Sequence, residues 1–266
     1  MYYAIFFLLC SLAAAWAAVG PGGWRWWLAL PVFVLAFLLM HLLYALFWWL
    51  LSLPVDRSKP IEKQNLRSRA GCRGFGRFMC LYAGIRPRFK GLDKLPEDRT
   101  FLYISNHRSL FDPILVMGYL DKYNITFISK PSNMQIPMVG DIAYNAGYLP
   151  IDRENDRAAL KTILTAADYM KRGVCSIGIY PEGTRSRNGQ LLPFHHGSFK
   201  AAQRAGVPVA VVCTRGTERV MKRLFLRPTV VELEVLELIP AERVKAMSTA
   251  ALAEHCRAKI EEALER

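Results

Sequence analysis

Two short segments of the chain carry side chains that could act together in proton transfer. Residues 106–112 offer a histidine and a carboxylate, and residues 180–186 offer a glycine turn with a carboxylate and an arginine. Short apolar runs at 101–105 and 174–179 precede them and predict buried strands. An α/β sheet presents reactive groups at the ends of its strands. Together the segments indicate proton abstraction next to a phosphate-bearing substrate.

His107 and Asp112 have the residue types of a general base and the group that orients it. A neutral imidazole can deprotonate a hydroxyl near pH 7, and a carboxylate on its other nitrogen fixes the tautomer and stabilises the cation that forms. A second interpretation is that Asp112 only caps a helix starting at Pro113, with His107 an ordinary loop residue.

No serine in the chain has the surroundings of a catalytic nucleophile. The G-x-S-x-G pattern of serine hydrolases is absent from the sequence, and Ser109 shows no sign of a nucleophile elbow. We therefore expect the attacking hydroxyl to belong to a substrate. This predicts direct transfer onto an acceptor alcohol without a covalent enzyme intermediate.

The second segment has the composition of an anion-binding loop. Gly183 lets backbone N–H groups approach an anion, and Arg185 can bind phosphate through two parallel hydrogen bonds. Glu182 can accept a hydrogen bond from a substrate hydroxyl or anchor the loop. A plain structural turn ahead of residues 187–189 is the alternative.

Four blocks in order resemble the glycerophospholipid acyltransferase family, most closely its bacterial 1-acylglycerol-3-phosphate branch. They are the His-x4-Asp block at 106–112, a second block at 147–153, the Pro-Glu-Gly-Thr-Arg block at 181–186 and a proline-containing strand at 207–211. The resemblance spans about residues 85–215. All four blocks in sequence, behind an apolar N-terminal segment, make it specific.

The resemblance implies that an acyl group moves from acyl-CoA or an acyl carrier protein thioester to the sn-2 hydroxyl of lysophosphatidate. His107 would be the general base, oriented by Asp112, and backbone N–H groups near the first block would stabilise the oxyanion. The residues implied to bind substrate and phosphate are Lys130, Arg153, Glu182, Gly183, Thr184 and Arg185. No metal or cofactor is expected besides the thioester co-substrate.

The sequence departs from the family pattern at two places. Pro150 stands where the second block usually has a large apolar residue, three residues before Arg153, and so is expected to affect the local geometry around that arginine. His195 and His196 stand where many members have a lysine pair. The second change removes a fixed positive charge and could alter head-group or carrier binding. As a lone pair, the two histidines make no convincing metal site, and a solvated loop is favoured.

The N-terminal part differs sharply in composition from the rest. Residues 1–53 contain no Asp, Glu or Lys and one Arg, so nearly all of the net charge of +13 lies beyond them. Apolar runs at 1–19 and 26–53, broken by residues 20–23, predict a membrane helical hairpin, and the missing charge near Met1 argues against a cleaved signal peptide. The basic stretch that follows predicts a cytoplasmic catalytic domain on the bacterial inner membrane.

Alternating strand and helix patterns then predict an α/β domain with a largely parallel sheet flanked by helices. The domains are residues 1–53 (membrane hairpin), 54–84 (basic linker and amphipathic approach) and 85–266 (acyltransferase domain). The expected partners are the bilayer, lysophosphatidate and the acyl donor. No nucleic-acid motif is present, and the six cysteines lack metal-ligand spacing, which predicts free buried thiols.

Three other functions stay open. The acceptor could be a different lysolipid, such as a lyso-ornithine or lysophosphatidyl lipid. The protein could be a non-catalytic lipid-binding protein on the same scaffold, or an esterase that uses the His-Asp pair on water. Neither acyl-chain length nor the depth of the hairpin in the bilayer follows from the sequence.

Overall fold

The computed structural model describes residues 2–20, 23, 25–52, 60–137, 139–152, 154–186, 190–223 and 227–266. The chain divides into two compact units, Met1–Pro54 and Val55–Arg266. The first contains the two apolar runs, and the second contains both motifs. The predicted boundary between residues 84 and 85 stays a prediction.

The first unit is a pair of packed helices, α1 (Tyr2–Val19) and α2 (Ala29–Ser52). Phe7 of α1 lies edge-on against His41 and Tyr44 of α2, with ring centroids 5.3 and 5.7 Å apart. The stretch Trp26–Phe47 is long and apolar enough to cross a membrane, whereas the apolar stretch Ile5–Val19 is shorter. Many large apolar side chains of both helices are exposed, a surface that favours association with a membrane.

The second unit is built on a mixed sheet whose described strands have the order β1-β7-β6-β2-β5-β3-β4. Strands β2 to β6 run parallel to one another, β7 is antiparallel to β6, and β1 is parallel to β7. The strands are β1 (Ile85–Lys90), β2 (Leu102–Ser105), β3 (Ile125–Ser129), β4 (Leu149–Pro150), β5 (Ser176–Ile179), β6 (Val209–Arg215) and β7 (Thr229–Ile239). The predicted α/β class with a largely parallel sheet is confirmed.

Helices cover both faces of this sheet. Alternate residues of β2 face opposite sides, so Tyr103 joins one buried cluster while Leu102 and Ile104 join the other. The helices are α3 (Leu66–Tyr82), α4 (Phe111–Tyr119), α5 (Pro131–Met134), α6 (Val139–Asn145), α7 (Asp156–Lys171), α8 (Lys200–Ala205), α9 (Val220–Arg223), α10 (Ala241–Ala246) and α11 (Thr249–Glu265). Residues of α3 and α4 pack on the Tyr103 side, and residues of α7, α8, α10 and α11 pack on the other.

Local sequence explains where several helices begin. The side chains of Asn155 and Ser248 accept hydrogen bonds from backbone N–H groups in the first turns of α7 and α11, the usual role of these residue types at a helix N-cap. Asn65 does the same for α3. Helix α3 therefore fills most of the segment that the sequence indicated only as an amphipathic approach.

The topology places the two motifs side by side. Strands β2 and β5 are adjacent and parallel, with Ile104 opposite Ile179. Their carboxyl ends therefore meet at one edge of the sheet, where the segments that follow them must lie close together.

Candidate active site

The dyad predicted from the first motif is formed. Nδ1 of His107 lies 2.8 Å from Oδ2 of Asp112. Asp112 sits in the first turn of α4, and its side chain is 1% exposed, whereas that of His107 is 19% exposed. The carboxylate is thus shielded from water while the imidazole reaches the surface of the edge.

Asp112 also contacts the backbone of the loop that carries His107. The same oxygen, Oδ2, accepts hydrogen bonds from the backbone N–H groups of Arg108 and Ser109, each at 2.8 Å. One carboxylate oxygen thus contacts three consecutive residues of the loop after β2. Asp112 therefore shapes the loop after β2 and orients His107. It does not cap α4, because the N-cap position is Leu110 and this residue makes no side-chain cap.

The hydrogen bond to Asp112 sets the tautomer of the imidazole. A carboxylate acceptor requires a proton on Nδ1 of His107, which leaves the lone pair on Nε2. Nε2 is then the atom that can take a proton from a bound hydroxyl.

Glu182 joins the two motifs. Its Oε1 accepts the backbone N–H of His107 at 2.6 Å, and its Oε2 accepts that of Leu192 at 3.0 Å. Burial raises the pKa of this carboxyl, an effect opposed by those two hydrogen bonds. Both oxygens are engaged with the backbone, the loop-anchoring arrangement that the sequence offered as one of two possibilities.

The turn that follows Glu182 brings the second motif to the surface. Gly183 closes a tight turn at φ +70°, where its N–H donates to the carbonyl of Tyr180 at 3.1 Å. Such a backbone favours glycine. The side chains of Thr184 and Arg185 are exposed. Among the described residues Arg185 has no ion pair, so its guanidinium is free for an anionic ligand.

The remaining predicted phosphate ligands lie after other strands of the sheet. Lys130 directly follows β3, the neighbour of β5, and is exposed at the same edge. Arg153 lies outside the described residues. Pro150, one of the departures from the family pattern, ends the short strand β4 beside β3. Lys130 and Arg185 thus follow strands whose carboxyl ends lie at the same edge of the sheet as His107.

Sequence reasoning did not identify two further contacts of the first motif. The side-chain amide of Asn106 bonds both to the carbonyl and to the N–H of Thr214, each at 2.8 Å, and ties the end of β2 to β6. The imidazole of His107 lies on the ring of Tyr180. The signal in the sequence for the second contact was the position of Tyr180 at the end of an apolar run. That position is equally typical of an ordinary core residue.

In the part of the chain that the structure describes, the other polar groups near the motifs do not form a second site. Ser109 is buried, and its Oγ lies 3.2 Å from the backbone nitrogen of Phe111. His195 and His196 are exposed. The six cysteines are free, and burial raises the pKa of the Cys72 and Cys80 thiols to about 12. Among the described residues no His, Cys, Asp and Glu cluster could hold a metal ion.

Comparison with protein families gives a match over the same segments. The Acyltransferase family model matches residues 86–215. The 1-acyl-sn-glycerol-3-phosphate acyltransferase of Escherichia coli is 34% identical over 188 residues, which are 71% of this chain and 76% of that protein. The protein of the same name from Salmonella typhimurium is 35% identical over 161 residues, covering 60% of this chain and 65% of the relative. The matched part is thus just under two thirds of the Salmonella protein.

A solved structure has the same fold. The crystal structure of the 1-acyl-sn-glycerophosphate (LPA) acyltransferase PlsC from Thermotoga maritima superposes with a TM-score of 0.64 at 25% sequence identity. The superposition covers 84% of this chain and 88% of that one.

Proposed function

The chain belongs to the Acyltransferase family, and from that premise we propose that it moves a fatty acyl group from an acyl thioester to the sn-2 hydroxyl of lysophosphatidate. The product would be phosphatidate. The observation that carries the proposal is the hydrogen bond of 2.8 Å between His107 and Asp112 at the open edge of the sheet. The names of the bacterial relatives support the choice of substrate.

The geometry supports His107 as a general base. Nε2 removes the proton of the acceptor hydroxyl while the oxygen attacks the thioester carbonyl carbon. The tetrahedral intermediate then collapses, the carbon–sulfur bond breaks, and the imidazolium returns the proton to the leaving thiolate. Asp112, held by two backbone N–H groups, stabilises the imidazolium between these steps.

The oxyanion needs donors that the loop has not already used. The backbone N–H groups of Arg108 and Ser109 bond to Asp112, and that of His107 bonds to Glu182. The expectation that the first motif supplies oxyanion donors therefore does not extend to these three groups. The donor has to come from another group at this edge of the sheet.

The acceptor phosphate is proposed to bind the cations beside His107. Arg185 is exposed and lacks an ion pair among the described residues, and Lys130 is exposed at the end of β3. The turn at Gly183 keeps Arg185 next to the Glu182 anchor, and Thr184 adds a hydroxyl. Arg153 is proposed as a further ligand on the resemblance alone.

Transfer is proposed to be direct. Ser109, two residues after the base, is buried and held in the turn before α4, so its hydroxyl is not presented to the thioester. A rapid quench with radiolabelled acyl-CoA in the absence of acceptor should leave no label on the protein. Stoichiometric label that survives denaturation and passes to the acceptor would contradict direct transfer.

The membrane setting follows from the first unit. The exposed apolar surface of α1 and α2 supports attachment to the bilayer in which the acceptor resides. We place the catalytic unit on the cytoplasmic side of a bacterial inner membrane, because the residues after α2 are strongly basic. Acyl-CoA or the acyl carrier protein thioester is the co-substrate, and no cofactor is needed.

The test is an acceptor panel with purified protein in detergent. Labelled palmitoyl-CoA and the palmitoyl carrier protein are each offered with lysophosphatidate, lyso-ornithine lipid and neutral lysolipids. Transfer to lysophosphatidate is the expected result. Transfer only to another lysolipid would identify a different acceptor. His195 and His196 would then be the first residues to test for a role in head-group recognition. Release of free fatty acid in place of transfer would favour the esterase, and no reaction with either donor would favour a lipid-binding protein.

A further inference from the structure

The imidazole of His107 is held by an aromatic ring as well as by Asp112. It lies nearly parallel to the ring of Tyr180, with centroids 4.3 Å apart and an interplanar angle of 17°. Tyr180 is 9% exposed, so its ring cannot move freely. The hydrogen bond to Asp112 fixes one atom of the imidazole, whereas the stacked ring fixes its plane.

The other aromatic contact of Tyr180 is with Phe127. Its ring lies parallel to that of Phe127, at a centroid distance of 5.3 Å and an angle of 4°. Phe127 pairs with Gly178 across β3 and β5, and a Cβ at position 178 would lie 2.4 Å from the phenyl ring. Because Gly178 lacks a side chain, the phenyl ring can lie over β5. A continuous aromatic stack thus runs from β3 to His107.

We propose that Tyr180 is a positioning residue for this reaction. Its ring holds the imidazole of His107 so that Nδ1 meets Asp112 and Nε2 faces the open edge. The same ring face stabilises the imidazolium that forms when Nε2 takes the acceptor proton. This inference rests on the proposed function, since it takes His107 as the base.

The ring, and not the hydroxyl, is the part of Tyr180 that acts. The phenolic oxygen is buried and has no hydrogen-bond partner among the described residues. Burial also raises the pKa of the phenol well above its usual value, so the side chain stays neutral. A neutral ring attracts a cation over its face, which favours the charged intermediate over the resting enzyme. The effect therefore falls on kcat and not on acceptor binding.

Two substitutions separate the ring from the hydroxyl. Tyr180→Phe keeps the stack, and we expect kcat within about threefold of wild type. Tyr180→Leu removes it, and we expect kcat to fall about 10- to 100-fold while the KM for lysophosphatidate changes less than about threefold, because misplacement of a base by about 1 Å costs rate at that scale. A loss in Tyr180→Phe equal to that in Tyr180→Leu would overturn the proposal, as would an effect confined to KM.

Tyr169→Leu is the matched control for a lost buried tyrosine. Tyr169 is 1% exposed and belongs to the cluster on the other face of the sheet. The Tyr169→Leu variant should have a lower unfolding temperature than wild type and the same kcat per folded molecule. If Tyr180→Leu does not fold, Phe127→Leu removes the support under Tyr180 and should reduce kcat by a smaller factor at constant KM. Unchanged kcat in that variant would contradict the stack as a positioning device.

A readout without turnover keeps this inference separate from the proposed function. Selective labelling of the five histidines gives ring-proton NMR signals in detergent, and His107→Ala identifies that of residue 107. Ring current from Tyr180 should shift this signal upfield in wild type and Tyr180→Phe, and Tyr180→Leu should abolish the shift. The same position in all three proteins would overturn the stack even if acyl transfer is confirmed. A shift without acyl transfer would instead count against the proposed function.

Discussion

The two ends of the candidate site differ in how completely the protein itself satisfies them. At the proton-transfer end, Asp112 is buried and its Oδ2 accepts three hydrogen bonds from the loop of His107. At the proposed anion-binding end, Lys130 and Arg185 are exposed at the end of a strand and on a tight turn. The proposed base is thus held by the protein itself, whereas the proposed phosphate ligands are exposed to solvent.

This difference predicts that the two ends of the site affect different constants, the catalytic rate constant and the affinity for the acceptor. A base must be held in place when the hydroxyl approaches, since reorganisation during the reaction would raise the barrier. A phosphate ligand can be exposed, because its hydrogen bonds form on binding and contribute to ground and transition states alike. Changes at the first end should therefore act on kcat, and changes at the second on KM.

Asp112→Asn should have the largest effect among these variants. An amide can donate to Nδ1 and so select the wrong tautomer of His107, and it carries no charge to stabilise the imidazolium. We expect kcat to fall by about 10²–10⁴-fold with KM nearly unchanged. Steady-state kinetics with lysophosphatidate measure both constants. An effect mainly on KM would remove the distinction between the two ends.

Arg185→Ala should act in the opposite sense. Loss of a charge-assisted hydrogen bond to phosphate costs about 1.5–3 kcal/mol, which corresponds to a rise of about 10- to 100-fold in the KM for lysophosphatidate. The control is Arg204→Ala, an exposed arginine on α8. Equal effects of the two substitutions would point to general surface charge and not to a phosphate ligand.

Arg185→Lys separates the charge of the guanidinium from its shape. Lysine keeps the charge but loses the planar fork that binds two oxygens. We expect a KM between those of wild type and Arg185→Ala. Full retention of the wild-type KM would show that a point charge suffices at this position.

The smallest effect is expected from a substitution of Glu182, which links the two ends of the site, and it concerns the pH dependence of stability. Burial raises its pKa, so the folded protein binds this proton more tightly than the unfolded chain. Its contribution to stability is then fully present below the unfolded value near 4.5 and is lost as the pH rises through the folded value. Glu182→Gln should flatten the decline of the unfolding temperature above about pH 4.5. Identical pH slopes in both proteins would contradict the assignment.

Most of the site's framework could be predicted from the sequence, because it depends on local patterns. The apolar run before His107 became β2, and the run before Glu182 became β5, shortened by two residues at its start to Ser176–Ile179. The alternation in Thr229–Ile239 gave a strand with one wetter face. These features follow from periodicity and capping within a few residues.

The contacts that could not be predicted from the sequence join residues far apart in the chain. The stack of Tyr180 on His107 and Phe127 needs three segments brought together by strand order. The bond from the His107 backbone to Glu182 spans 75 positions. Neither leaves a local pattern, since an aromatic residue at a strand end and a glutamate in a turn each have commoner explanations.

The most direct test of general-base catalysis by His107 is the rate of acyl transfer to lysophosphatidate by wild type and His107→Ala at equal concentrations of folded protein. His255→Ala, on the surface of α11, serves as the histidine control. We predict measurable transfer by wild type and by the control, and a fall of about 10²–10⁴-fold in His107→Ala. Transfer by His107→Ala at the wild-type rate would contradict general-base catalysis by this histidine.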